Sequence, residues 1–133
     1  MTTRAPLLLA SLLLVLAGCA APAPAATPTP GTGIGGVVTA GPVCPVEKNP
    51  PDPACAPRPV GGAILVIRDA AGTEVARATT AADGTYFTEL PGGVYVVMPQ
   101  PAKGLLGTPG PQSVTVADGA TATLDVSYDT GIR

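Results

Sequence analysis

Histidine and tryptophan are absent from the 133 residues, and the aromatics amount to three tyrosines and one phenylalanine. Without histidine no Ser/His/Asp or Cys/His relay can form. Without tryptophan the best side chain for stacking a sugar or a base is missing. Cations are sparse as well: 7 Lys and Arg stand against 9 Asp and Glu, a net charge of −2, and they form no run. That balance does not suit nucleic acid. The apolar run Leu7 to Val15 falls short of the about 20 residues a membrane-spanning helix needs, and nowhere does an amphipathic helical period appear.

Proline and glycine are abundant, 17 of each, but they are unevenly placed. Eleven prolines fall between Ala20 and Val60, whereas Gly61 to Met98 holds only Pro91. The chain therefore reads as a flexible front and an ordered back, with room for one modest core.

Met1 to Gly18 has the parts of a secretory signal: Arg4, the apolar run Leu7 to Val15, then small Ala17 and Gly18. Leu16-Ala17-Gly18-Cys19 matches the lipobox of bacterial lipoproteins. The resemblance implies cleavage between Gly18 and Cys19, with Cys19 carrying palmitate-type acyl chains as the new N-terminus. Two or three chains hold firmly, since each buried methylene adds about 0.8 kcal/mol. Loss of Arg4 leaves 6 cations against 9 anions, a net charge of −3. Residues 19–33, the lipidated Cys19 and AAPAPAATPTPGTG, are Ala/Pro/Thr-rich and read as a disordered, extended tether reaching about 3.1 Å per residue. Thr27 and Thr29 are alternatively acceptors for O-glycosylation.

Residues 34–133 form the expected folded domain. Ile34 to Thr39 is a first strand. Gly41 to Pro59 is an irregular loop carrying Cys44 and Cys55, the two cysteines left once Cys19 is set aside. A zinc shell lacks ligands, because two thiols without histidine cannot complete it, and the spacing is not Cys-X-X-Cys. A structural disulfide closing about 12 residues remains, worth about 3 kcal/mol by loop entropy. Gly61 to Asp69 is apolar on both faces and so central or covered. Thr73 to Thr80 is a more exposed strand. Tyr86 to Leu90 and Tyr95 to Val97, separated by Pro91-Gly92-Gly93, read as a hairpin that organises the rest, with Tyr86, Leu90, Tyr95 and Val97 on one side. Leu105-Leu106, isolated in a Gly/Pro-rich connection, is either a partner-binding tip or a flap over Ile64 and Val66. Ser113 to Val116 and Thr121 to Tyr128 complete seven strands. Seven short strands with turn residues between them predict an all-β fold, an antiparallel β-sandwich.

Gly62-Ala63, Thr80-Ala81-Ala82-Asp83-Gly84-Thr85-Tyr86 and Leu90-Pro91-Gly92-Gly93-Val94-Tyr95 resemble the carboxypeptidase regulatory-like domains. The resemblance implies a prealbumin-like Greek-key sandwich over roughly Ile34 to Tyr128. Ala81 stands where that family often has an acidic residue, which speaks against a cation at this turn. Related collagen-adhesin repeats carry Lys–Asn isopeptide bonds. Here the lone asparagine, Asn49, lies beside Lys48 in the proline-rich loop, which argues against one.

Asp83, Asp118, Asp125 and Asp129 could pair as acid and base or hold calcium, but Asp83 and Asp118 precede glycine, where aspartate serves turns. The expectation is a non-enzymatic module without metal or cofactor, lipid-anchored outside a bacterial membrane, its protein or glycan partner open. A carbohydrate-binding or adhesion module is the second reading, and a small hydrolase using Asp125 and Asp129 the remote one.

Overall fold

A computed structural model describes residues 30–133. Met1 to Gly18, Cys19 and most of the tether lie outside the described residues. The elements are β1 (Gly33–Gly41), β2 (Arg58–Pro59), β3 (Ile64–Asp69), β4 (Glu74–Thr79), β5 (Thr85–Glu89), β6 (Gly93–Pro99), β7 (Gln112–Val116), β8 (Thr121–Thr123) and β9 (Val126–Asp129), with one 3₁₀ turn at Pro53–Cys55. Two sheets face each other, as the strand pattern predicts. The first is built around β1, flanked by β5 and β2 on one side and by β8 and β9 on the other; the second runs β4-β3-β6-β7.

Strand locations follow the sequence closely. The expected last strand is broken at Leu124 and Asp125 into β8 and β9, and β2 is an added two-residue pairing, Thr39 opposite Pro59 and Ala40 opposite Arg58. The pairing departs from expectation in two ways. First, β5 and β6 are not a hairpin: β5 pairs with β1, while β6 pairs with β3 and β7. The connection is an arch between sheets, because its polar groups bond elsewhere. Leu90 N–H donates to the Thr32 carbonyl and Gly92 N–H to Asp118 Oδ1, while the Tyr95 hydroxyl closes back on the Pro91 carbonyl within the arch. Tyr86, Leu90, Tyr95 and Val97 do share one core, but they meet across the sandwich. Second, β1 is parallel to β8 and β9 in an otherwise antiparallel fold. β7 ends at the pole where β1 begins, so the chain leaves that pole alongside β1.

The tether also ends sooner than the sequence indicates. Thr32 is fully buried, its carbonyl accepts from Leu90 and its hydroxyl accepts the Gly119 N–H. Residues 32–33 therefore belong to the sandwich.

Alternation fills the core. Ile34, Val38 and Ala40 from β1 and Val126 and Tyr128 from β9 share the core with Ala63 just before β3, Leu65 and Ile67 from β3 and Val97 from β6. Full burial of a side chain such as Leu65 or Ile67 contributes about 1.5–3 kcal/mol. β3 is central, and its outward Val66 is buried beside Arg77 and Met98, its register partners on β4 and β6. The expected flap over Ile64 does not form: Ile64 stays partly exposed, while Leu105 packs against the core margin and Leu106 projects outward, 82% exposed. Leu106 and Gly107 are instead tied to the Asp129 carbonyl at the end of β9.

Close approach demands glycine in β1, at Gly33 against the Thr88 carbonyl and at Gly36. A Cβ on Gly36 would collide with the Leu124 carbonyl, where the chain breaks between β8 and β9. Gly84 is demanded by conformation, with φ 79° in the turn before β5.

Candidate functional site

The strands fix two poles. β1 enters at Gly33, beside Glu89 and Thr121, and leaves at Gly41, beside Asp129. Nine residues at about 3.4 Å each carry the chain roughly 27 Å between them. The entry pole holds the Pro91–Gly93 arch and the Ala117–Ala120 turn. The far pole gathers the disulfide loop, the connection from Gln100 to Pro111 and the last residues of the chain.

At the far pole Cys44 and Cys55 are bonded, with Sγ–Sγ 2.10 Å and Cα–Cα 5.3 Å. The loop they close is organised by Asp52, whose Oδ1 accepts the Ala54 N–H at 2.9 Å and whose Oδ2 lies 3.5 Å from Lys48 Nζ. Glu47, Pro51, Pro53 and Pro57 line an open depression of about 440 Å³ along it. Thr130 N–H donates to the Gly41 carbonyl and its hydroxyl to the Pro42 carbonyl, so the loop base is stitched to the end of β9. Asn49 is exposed in this loop, away from the core where a buried cross-link would sit.

A second, smaller hollow of about 260 Å³ adjoins it, lined by Ala40, Arg58, Pro59, Val60, Gly61, Lys103 and Leu105. Sequence reading missed it, because Arg58 and Lys103 lie 45 positions apart in unremarkable contexts. The only local hint is that each follows or precedes a rigid turn, Pro57-Arg58-Pro59 and Lys103-Gly104.

The four aspartates weighed as acids or ligands are spread out in turns and strand ends. Asp83 Oδ1 accepts both the amide and the hydroxyl of Thr85, at 3.0 and 2.6 Å. The Thr85 hydroxyl, and next its amide, hold the Asp83 carboxyl below its usual range. Asp118 accepts from Gly92 in the arch, and Asp125 from Val37 N–H at 2.9 Å, bridging the break between β8 and β9 to β1. Asp129 takes the Gly131 N–H and both ends of the Arg133 guanidinium, the shorter at 2.7 Å. The Arg133 hydrogen bonds, then the Gly131 amide, bring the Asp129 pKa down to about 2. A general acid needs a raised pKa, so Asp129 is set up in the opposite sense. Among the described residues no cluster of three or more His, Cys, Asp or Glu is placed to hold a metal.

The tyrosines are structural. Tyr86, Tyr95 and Tyr128 are buried, and their hydroxyls donate at 2.6 Å to the carbonyls of Leu124, Pro91 and Gln100. Burial, with a smaller push from Asp125, raises Tyr86 to about 12. Burial also raises Tyr95, with Asp69 and Asp118 adding to it, and raises Tyr128. None of the three offers a ring to a ligand. Phe87 does: it points outward from β5, 49% exposed, with its ring over Gly35 on β1.

No family model matches the chain, and no curated protein matches it. Among the solved structures that share the fold are two bacterial proteins. One is GBS52, the minor pilin of the gram-positive pathogen Streptococcus agalactiae, with a TM-score of 0.55 and 14% identity over 74% of this chain and 44% of that one. The other is the Bacillus anthracis TIE protein, with a TM-score of 0.53 and 19% identity over 74% of this chain and 16% of that one. The chain thus spans less than half the length of either. What these likenesses show is the fold, a β-sandwich, in agreement with the sandwich read from the strands.

Proposed function

We propose that the chain is a lipid-anchored, non-enzymatic module of a bacterial cell envelope, a carboxypeptidase regulatory-like sandwich displayed outside the membrane as a binding or structural element. The observation that carries this reading is Leu16-Ala17-Gly18-Cys19 directly after an apolar signal and directly before a proline-rich tether. Cleavage between Gly18 and Cys19 and acylation of Cys19 place residues 1–18 as signal, 19–31 as tether and 32–133 as the domain. The membrane then lies on the side of the entry pole, and the far pole with its disulfide loop faces outward. The fold shared with a minor pilin supports a surface role. The commitment of Asp83, Asp118, Asp125 and Asp129 to backbone amides supports a role other than catalysis.

Intact mass of the protein from a bacterial host tests this directly. The expected mass is that of Cys19 to Arg133 plus acyl chains, found in the membrane fraction. An unprocessed or lipid-free chain in the soluble fraction overturns it. A glycan-binding or adhesion role is the second reading, favoured by the outward ring of Phe87. Binding on a glycan array that is lost in Phe87→Ala would support it, and silence on the array would remove it.

A further inference from the structure

Six cations lie in the described part of the chain: Lys48, Arg58, Arg68, Arg77, Lys103 and Arg133. Three are neutralised locally, Lys48 by Asp52, Arg77 by Glu74 and Arg133 by Asp129. Of the three that are not, two line one hollow. Arg58 and Lys103 border the 260 Å³ concavity at the far pole, and no carboxylate is among its lining residues. In a chain with more acids than bases, two uncompensated cations converging on a concave surface is an arrangement that attracts an anion.

Both cations are held on fixed backbone. Arg58 sits in β2 between two prolines, opposite Ala40, and the Val60 N–H behind it donates to the Val38 carbonyl. The disulfide ends three residues before Arg58 and ties that segment down. Lys103 occupies the second position of a turn closed by the Leu105 N–H and the Ala102 carbonyl, with Gly104 at φ 80°. That turn is anchored on three further sides. The Tyr128 hydroxyl donates to the Gln100 carbonyl, the Gln100 N–H donates to the Ile64 carbonyl, and the Leu106 N–H donates to the Asp129 carbonyl. The floor of the hollow is mixed, the two charged side chains standing with the apolar Ala40, Pro59, Val60 and Leu105. Leu105, the less exposed half of the Leu-Leu pair, is thereby explained as part of this floor.

We propose that this hollow binds a carboxylate borne on a short apolar body, with the Arg58 guanidinium and the Lys103 ammonium on the carboxylate and the aliphatic part against Val60 and Leu105. The planar fork of arginine matches a carboxylate, and lysine adds a mobile point charge. The volume is below the range typical of drug-sized ligands, so the body is a few carbons long. The site does not depend on lipidation of Cys19. Its failure would leave the anchored module standing, and failure of the anchor would leave the hollow standing.

The test is titration of the purified chain with pentanoate, 1-pentanol and inorganic phosphate, following backbone amide resonances by NMR. Saturable pentanoate shifts at Gly61, Lys103, Gly104 and Leu105 are expected, weakened about fivefold in Arg58→Gln and in Lys103→Gln and further in the double variant, as for partly exposed charge pairs. Added sodium chloride should weaken them too. Equal shifts with 1-pentanol would show that the charges are not read, and phosphate binding as tightly as pentanoate would show that the apolar side chains are not. Either result, a non-saturating response, or an unchanged affinity in the double variant overturns the proposal. Both side chains are exposed, so a folded spectrum is expected for every variant.

Discussion

Replacing Tyr86 by phenylalanine removes a single oxygen from the middle of the fold and yields two readouts. The Tyr86 hydroxyl donates at 2.6 Å to the Leu124 carbonyl, at the break between β8 and β9. The hydrogen bond itself contributes about 1 kcal/mol net, and a carbonyl left unpaired at a partly buried site adds about another. Tyr86→Phe should therefore unfold about 1–2 kcal/mol more easily at pH 8, seen as a lower urea midpoint at unchanged slope. For a domain near this size that is roughly 4–16 °C in melting temperature. The second readout is alkaline pH. Burial lifts Tyr86 to about 12 in the folded state, against an unfolded value of 10.0. The unfolded chain then loses its proton first, so this contribution is complete below pH 10 and declines as pH rises through 12. Linkage gives about 2 kcal/mol lost by pH 12, from about 1.4 kcal/mol per unit. Tyr86→Phe should be less stable at pH 8 yet lose less between pH 10 and 12. Absorbance at 295 nm would place the slowest phenol near 12 in the parent. A parent in which all three phenols titrate near 10, or a variant as stable as the parent at pH 8, would refute the reasoning.

Gly36→Ala should cost several kcal/mol, since its methyl meets the Leu124 carbonyl and the backbone must move. Gly62→Ala, at φ 76° in open space, should cost only about 1 kcal/mol, and thermal melts of the two rank them. Reducing the Cys44–Cys55 bond, or replacing both by alanine, should remove about 3 kcal/mol by loop entropy, checked by denaturation with and without reductant. Equal midpoints would refute a stabilising bond. Arg133→Ala should move the Asp129 pKa up from about 2 toward 3.8, followed by carboxyl NMR titration. Because that pKa is depressed, any stability from the pair is present above pH 4 and lost as pH falls toward 2.

Most strands were legible because their residues obey a period of two: Ala63, Leu65 and Ile67 inward, Ile64 and Arg68 outward. Turn positions were legible because Asp83-Gly84 and Asp118-Gly119 each supply a residue free to take positive φ, and Asp83 adds a side-chain acceptor for its own turn. Pairing was not legible. Tyr86-to-Leu90 and Tyr95-to-Val97 look like hairpin partners locally, and only the bonds of Leu90 to Thr32 and of Gly92 to Asp118 turn the connection into an arch. The disulfide could be reached by elimination from three cysteines, one of them spoken for by the lipobox motif. The hollow between Arg58 and Lys103 could not, since it exists only once β2 and the Ala102–Leu105 turn are brought to the same pole.

β1 holds these observations together. It pairs with β2, β5, β8 and β9, so one sheet is assembled wholly around it. Its first half, Gly33-Ile34-Gly35-Gly36, is glycine-rich because neighbours crowd in: Thr88 toward Gly33, Phe87 over Gly35, and the Leu124 carbonyl against Gly36. Its second half, Val37 to Ala40, carries side chains, with β9 and β2 paired alongside. Glycine is entropically costly in a strand, and the rest of the sheet offsets that cost on both flanks. β1 is also where the segment after Cys19 enters the fold. Parallel β9 and antiparallel β5 both run alongside its axis, so a pull along β1 from the entry pole loads their hydrogen bonds together in shear instead of opening them one at a time. A sandwich tethered by this strand takes an N-terminal pull along hydrogen bonds on both flanks of β1.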